Sequence, residues 1–399
     1  MERILIIHNY YQQPGGERTA VRAQISLLQQ QGHDVLLYTE DNAEIKDYGL
    51  PQKALAIGRT IFSSKAYHQI QELVEQKRPA VAHIHNVFPL ISPAIYHGLR
   101  QTGIPIVQTI HNFRFLCPNS FFFTQGQICE RCKYGNTLNA IRYRCYRESY
   151  FASALYALSI GGHRKRGTFQ QIDRFIALTE FAAQKLVESQ FTTRDKIAIL
   201  GNFLPEPLPP PGFFDDHEPY VIFMGRLSAE KGVDTLIKAM AGVPNLKLKV
   251  LGVGPEAERL QALGQQLQGR VEFLGFVAGE KKWELLRRAL AVVVPSVWYE
   301  HFPLTILESF AAATPVLASK LGSLPHIIRE GETGLFTQPN DVKDMQSKLR
   351  FLAANPQKSL KMGQAARAEV EARFVASVHY ERLMQIYDEV QLVSKGSAR

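Results

Sequence analysis

Residues 202–219 read NFLPEPLPPPGFFDDHEP and hold six prolines. Proline fixes φ and lacks a backbone N–H, so neither a helix nor a central strand can run through this stretch. A chain of 399 residues therefore divides here into two units of ordinary domain size. The same alternation stands on both sides of the break. Before it come RILIIH (3–8), the helix-spaced ERTAVRAQISLLQQQG, DVLLYT, AVAHIHN, IPIVQTIHN, RFIALTEFAAQKLVES and KIAIL. After it come YVIFMGR, GVDTLIKAMAG, LKLKVLG, PEAERLQALGQQL, RVEFLG, EKKWELLRRA, LAVVVPS, LTILESFAAA and PVLAS, with further helices over about 341–395. Continuous apolar strands alternating with amphipathic helices call for a parallel sheet covered on both faces.

The expected fold is thus α/β, with two Rossmann-like doubly wound domains facing across a cleft where the carboxyl ends of both sheets bind ligand. The expected boundaries are 1–203 for an acceptor-side domain, 204–218 for the linker, 219–375 for a donor-binding domain and 376–399 for a helix packing back on the first domain. An insertion at about 113–168, without clear periodicity, interrupts the first domain and carries all four cysteines.

The apolar runs fall short of the roughly 18–20 residues that span a bilayer, and the N-terminal run leads into a Gly-Gly loop rather than a cleavage site. A cytoplasmic protein is expected. The net charge of +9 favours an anionic partner: nucleic acid, a phosphorylated small molecule or an acidic membrane. Part of that charge lies in RYRCYRESYFASALYALSIGGHRKR (142–166), where basic clusters flank an aromatic middle. This segment suits a solvated basic face or a peripheral contact with the inner face of a membrane.

The first strand leads into HNYYQQPGGERTA, which lacks G-x-G-x-x-G, so nicotinamide binding loses its main support. Gly15 and Gly16 either let a ligand approach the backbone at a helix start or simply make a tight turn. In the second domain FMGRLSAEKG offers Arg226 and Lys231 from one short loop, a fork and a point charge that suit a diphosphate. Farther on, SVWYEHFPLTILESFAAATPVLAS places Glu300 on a loop and Glu308 inside the following helix. With Pro303 near the first helical position, the first-turn amides offer a second anion site, and the two carboxylates can accept from hydroxyls on either side of it. Hydroxyls, diphosphate, hydroxyls describes a nucleotide sugar.

GRLSAEKG followed some seventy residues later by EHFPLTILE resembles glycosyltransferase family 4, the retaining nucleotide-sugar transferases of GT-B fold. IALTEFAAQKL, VLGVGPE, VEFLGFV, TPVLAS and GETGLF extend the likeness over nearly the whole chain. The resemblance implies a hexosyltransferase that moves sugar from a UDP- or GDP-linked donor to a glycan or lipid-linked hydroxyl acceptor. On it, Arg226 and Lys231 bind the diphosphate, Glu308 the ribose and Glu300 the transferred sugar, with His111 close to that sugar. Gly15 and Gly16 approach the phosphates and the acceptor, and Gly252, Phe276 and Val277 border the base. Phe302, Leu304 and Thr305 complete the donor site. Many relatives read Glu-Gly-Phe-Gly where this chain has Glu300, His301, Phe302 and Pro303, which leaves the sugar open. Electrostatic stabilisation of the leaving diphosphate by Arg226, Lys231 and the helix amides calls for no catalytic metal and no covalent intermediate.

Cys117, Cys129, Cys132 and Cys145 follow C-x11-C-x2-C-x12-C, a spacing that suits a structural zinc, with four reduced thiols as the alternative. Two other functions are weighed: a nucleotide-sugar epimerase on the same fold, and a zinc-containing nucleic-acid-binding protein. Neither explains the paired loop and helix of the second domain, so nucleic acid is not expected as a partner.

Overall fold

The structure, a computed structural model, describes residues 2–12, 15–212 and 218–397. The stretch 213–217 of the expected linker lies outside the described residues. The chain forms two compact units, Met1–Thr124 with Cys129–Asn202 and His379–Arg399, and Gln125–Ile128 with Phe203–Val378.

Strands of the first part of the chain are β1 (Arg3–Tyr10), β2 (Asp34–Asp41), β3 (Val81–Asn86), β4 (Ile106–Ile110), the short β5 (Phe123–Thr124) and β6 (Gln127–Ile128), β7 (Arg174–Ala177) and β8 (Ile197–Ile199). The helices are α1 (Gly16–Gln30), α2 (Leu50–Ile61), α3 (Ser64–Lys77), α4 (Ala94–Thr102), α5 (Leu138–Arg142), α6 (Tyr150–Lys165) and α7 (Glu180–Glu188). The sheet runs β2-β1-β3-β4-β7-β8, and its adjacent strands pair in parallel. Strand order reverses between β1 and β3, the crevice where open α/β sheets take ligands.

The C-terminal helix α14 (Ala376–Ser397) closes one face of this sheet: Leu383, Ile386, Tyr387 and Val390 bury among Ile4, Ile6, Leu28 and Val81. Its docking is also polar. His83, wholly buried on β3, bonds Tyr387 Oη through Nδ1 at 2.7 Å and Thr109 Oγ1 through Nε2 at 2.7 Å.

The insertion is more regular than its sequence suggests. Ser149 accepts from the amide of Ala152 and starts the sixteen-residue α6. That helix is apolar on most sides, with only a weak polar stripe, which hides the 3.6-residue period. Inside α6, a Cβ on Gly161 would stand 2.6 Å from Thr137 Oγ1, so the glycine permits the close approach of the α5 start.

In the second unit β9 (Tyr220–Met224), β10 (Lys247–Leu251), β11 (Val271–Gly275), β12 (Ala291–Val294), β13 (Val316–Ser319) and β14 (Gly334–Thr337) form a parallel sheet of order β11-β10-β9-β12-β13-β14. It carries α8 (Val233–Met240), α9 (Ala257–Gln265), α10 (Gly279–Arg287), α11 (Leu304–Ala311), α12 (Val342–Ala354) and α13 (Pro356–Arg373). Val221, Phe223, Leu236, Leu248, Val250 and Val293 sit in its core. Here the reversal falls between β9 and β12. Among the described residues no helix is long and apolar enough to cross a membrane.

Candidate active site

In the second unit the loops after β9 and β12 meet at the sheet's reversal point. Gly232 has φ +65, and a Cβ there would run into the carbonyl oxygen of Pro295, so glycine alone lets the two loops close together. The amide of Val297 then donates to Glu230 O at 2.9 Å. This contact delivers Lys231 to Glu300. Three donors converge on Glu300 Oε1: Lys231 Nζ at 2.7 Å, Ser296 Oγ at 2.6 Å and Trp298 Nε1 at 3.0 Å. Glu300 is only 5% exposed, so its charge is matched within the protein. All three donors meet the same oxygen, Oε1, and none of the three reaches Oε2.

Glu308 stands on α11, where its Oε1 accepts from Lys282 Nζ of α10 at 2.9 Å. Lys282 also lies 4.5 Å from the Trp283 ring centroid. Sequence reasoning missed Lys282, because EKKWELLRRA carries only helical periodicity. Pro303 caps α11 rather than occupying its first turn, which begins at Leu304. That is near the first helical position, as expected, and at the N-cap the proline's missing N–H costs the helix nothing. Leu304 and Thr305 are half-buried in that first turn.

Other expected donor residues differ in character. Arg226 is exposed, Val277 half-buried and Phe276 80% exposed. Gly252 has a structural reason of its own, since a Cβ would collide with the Gly225 carbonyl. Phe302 is buried and meets the Phe374 ring edge-on at 5.5 Å, so it is a wall of the site rather than an open contact.

In the first unit Gly15 caps α1 and Gly16 opens it. No described atom lies within 4 Å of where a Gly15 Cβ would stand, so packing does not demand glycine there. His111 follows β4, and its Nε2 pairs with His85 Nδ1 at 2.9 Å, the rings stacked at 5.2 Å. Burial holds His111 neutral, down to about 3. The structure adds Glu17, His8, Tyr11 and Asn112, which the sequence reading did not single out. Asn112 Nδ2 donates to Glu17 Oε2 and to Tyr11 Oη, both at 3.2 Å. The only signal for Glu17 was its place one residue after the Gly-Gly pair.

Cys117, Cys129, Cys132 and Cys145 line one small cavity and are free thiols. Burial raises Cys117 to about 11 and Cys132 to about 12. Among the described residues, no three His, Cys, Asp or Glu side chains are arranged to hold a metal ion as they stand.

Burial pushes the Glu17 carboxyl up from 4.5 to about 8, against the opposing pull of Arg114 and Asn112. Between those values the unfolded chain has lost its proton and the folded chain keeps it, so stability falls as pH rises. Measured against Glu17→Gln, the wild-type advantage should be fully present below pH about 4.5, shrink through neutrality and level off above about 8. Urea midpoints of both proteins from pH 5 to 9 check this, and a constant difference would refute the buried acid.

Two family models match the chain: Glycosyltransferase Family 4 over residues 14–205 and Glycosyl transferases group 1 over residues 207–369. An exopolysaccharide phosphotransferase of Streptomyces coelicolor is 32% identical over 226 residues, covering 55% of this chain and 24% of that protein. The chain spans between 24% and 52% of the length of that relative and of a Nocardia farcinica D-inositol 3-phosphate glycosyltransferase. Among solved structures, a sucrose-phosphate synthase of Thermosynechococcus elongatus superimposes with TM-score 0.74 at 20% identity, covering 98% of this chain and 100% of that one. Anabaena HepE, solved with UDP-glucose, matches at TM-score 0.66 and 16% identity over 98% of this chain and 100% of that one. Two parallel-sheet domains and two adjoining family matches agree: the chain belongs to the family 4 glycosyltransferases and has the GT-B fold.

Proposed function

We propose that this glycosyltransferase moves a hexose from a UDP-sugar, with retention at the anomeric carbon, to a hydroxyl of a glycan or lipid-linked acceptor in polysaccharide assembly. The observation that carries the donor assignment is the Lys231–Glu300 pair at the sheet reversal, with Arg226 on the same loop and the Glu308–Lys282 pair beside it. UDP is the base favoured by the HepE complex, and polysaccharide synthesis by the S. coelicolor relative. Arg226 and Lys231 neutralise the departing diphosphate, where negative charge grows in the transition state. Glu308 accepts from the ribose, and Glu300 Oε2 from the transferred sugar. The acceptor oxygen attacks from the face that UDP leaves. In this reading His111 stands close to the transferred sugar, and Gly15 and Gly16 approach the phosphates and the acceptor. An epimerase would release UDP without an acceptor; the transferase requires one.

Replacing Lys231 with alanine removes a charge-assisted contact worth about 1.5–3 kcal/mol, so UDP affinity should fall by roughly 10- to 150-fold. Glu308→Ala should also weaken UDP, whereas Glu300→Ala should chiefly lower kcat for transfer. Titration calorimetry with UDP and a turnover assay separate the two effects. Equal losses of UDP affinity in all three variants would contradict the assignment.

The insertion supports two structural proposals. Four thiols around one cavity provide the ligand number of a tetrahedral zinc, provided they rotate toward a common point. Elemental analysis of protein purified under reducing conditions should then find about one zinc per chain; metal-free protein with a protease-resistant insertion refutes it. Exposed Tyr150, Phe151 and Leu158 along α6, with basic Lys165 and Arg166 at its C-terminal end, support peripheral docking on an anionic membrane. Arg164 is occupied elsewhere, donating to Lys133 O at 2.9 Å and to Ser189 O. Reversing only Lys165 and Arg166 to glutamate should therefore reduce binding to phosphatidylglycerol liposomes without unfolding the insertion, and unchanged binding would sink the idea.

A further inference from the structure

Two buried atoms in the first unit face each other without hydrogen-bond partners among the described residues: His8 Nδ1 at the end of β1 and Glu17 Oε1 in the first turn of α1. They stand 4.0 Å apart, too far for a direct hydrogen bond. Neither is free to turn away. Asn112 holds the other Glu17 oxygen, and the His8 ring packs edge-on against Tyr10 at 4.4 Å and His85 at 6.2 Å. The His8 side chain is 1% exposed and that of Glu17 12%, so bulk water does not satisfy them.

We propose that His8 and Glu17 together bind one hydroxyl of a neutral, polyhydroxylated acceptor, an assignment that rests on the transferase reading above. An oxygen about 2.8 Å from each atom spans their separation with a bent geometry suited to a hydroxyl. The chemistry of the pair selects the ligand class. Burial, His111 and Arg18 keep His8 neutral, so the ring has one donor and one acceptor nitrogen. The Glu17 carboxyl, when protonated, likewise offers one donor. A hydroxyl both donates and accepts and can satisfy the two at once. With the His8 proton on Nε2, Nδ1 accepts and the Glu17 hydroxyl donates, so a phosphate oxygen, which only accepts, or an ammonium, which only donates, would leave one of the two unpaired. His111, half-buried and oriented by His85, lies near enough to His8 to affect its charge, so the hydroxyl is bound beside the histidine assigned to the sugar.

The test uses the full chain with UDP-glucose as donor and four neutral probes: glycerol, myo-inositol, methyl α-D-glucopyranoside and octyl β-D-glucopyranoside. At least one should accelerate UDP release above the rate in water. In Glu17→Ala and His8→Ala the KM for that probe should rise at least tenfold while the UDP Kd stays within twofold. Glu17→Gln, which keeps one donor and one acceptor in the same shape, should lie close to wild type, and its melting temperature shows whether the fold survives. An unchanged probe KM in Glu17→Ala overturns the proposal. So does a wild-type protein that binds UDP yet responds to none of the neutral probes. Failure to bind UDP or consume UDP-glucose would instead strike the donor reading.

Discussion

The approach of Gly232 to Pro295 is the constraint on which the loop contacts of the second unit depend. Two loops from adjacent strands at a sheet reversal diverge by default, because their helices lie on opposite faces. Only a residue without Cβ, in the left-handed region, lets the β9 loop bend under the β12 loop. Once that bend is made, Lys231 and Glu300, sixty-nine positions apart, become hydrogen-bond partners. A carboxylate this buried would be costly alone. Three donors offset the cost and leave its other oxygen available, so the site is charge-balanced before any ligand arrives.

The first unit meets the same topological demand with uncharged groups. At its reversal Asn9 of β1 donates to Asn42 Oδ1 at 2.8 Å and accepts from the amide of Leu90 at 2.8 Å. Asn86 of β3 donates to the Asn9 carbonyl at 2.6 Å. These amides suture the strand ends as the glycine does in the second unit. The result is a rigid floor under His8, His85 and His111, which project from the ends of three neighbouring strands. In the acceptor role proposed above, such a floor would hold an acceptor oxygen within a narrow range of positions.

The strand and helix series on each side of the proline break was legible because buried parallel strands are continuous apolar runs. RILIIH and LAVVVPS could hardly be anything else. The Lys231–Glu300 contact was within reach of the sequence because the two residues fall in short motifs on either side of one reversal, while Arg226, on the same loop as Lys231, is exposed. Lys282 was not within reach, since its partner Glu308 is twenty-six residues away and nothing in α10 marks one lysine above the next. Glu17 was hidden for a similar reason: its raised proton affinity comes from burial, against the opposing pull of Arg114 and Asn112, and a sequence does not record burial. The regularity of α6 escaped because a helix buried on several sides loses the polar stripe that reveals its period.

Histidine gives the sharpest contrast between scaffold and site. His83 has all its hydrogen-bonding capacity used, by Gln24, Tyr387 and Thr109, and His163 is likewise bonded to Thr168 and to the Ile61 carbonyl. Both fix elements to one another: His83 ties α14 to the sheet, and His163 ties α6 to α2. His8 and His85 lie one or two side chains away from His83, in equally dry surroundings, yet each keeps an unbonded ring nitrogen among the described residues. An unpaired buried polar atom costs about 1–3 kcal/mol, which the saturated network around His83 can offset locally. A protein selected only for stability would replace His8 with an apolar residue. That His8 Nδ1 and, 4.0 Å away, Glu17 Oε1 both stay unbonded beside the sheet reversal is the physical reason the proposal gives them to a ligand rather than to the fold.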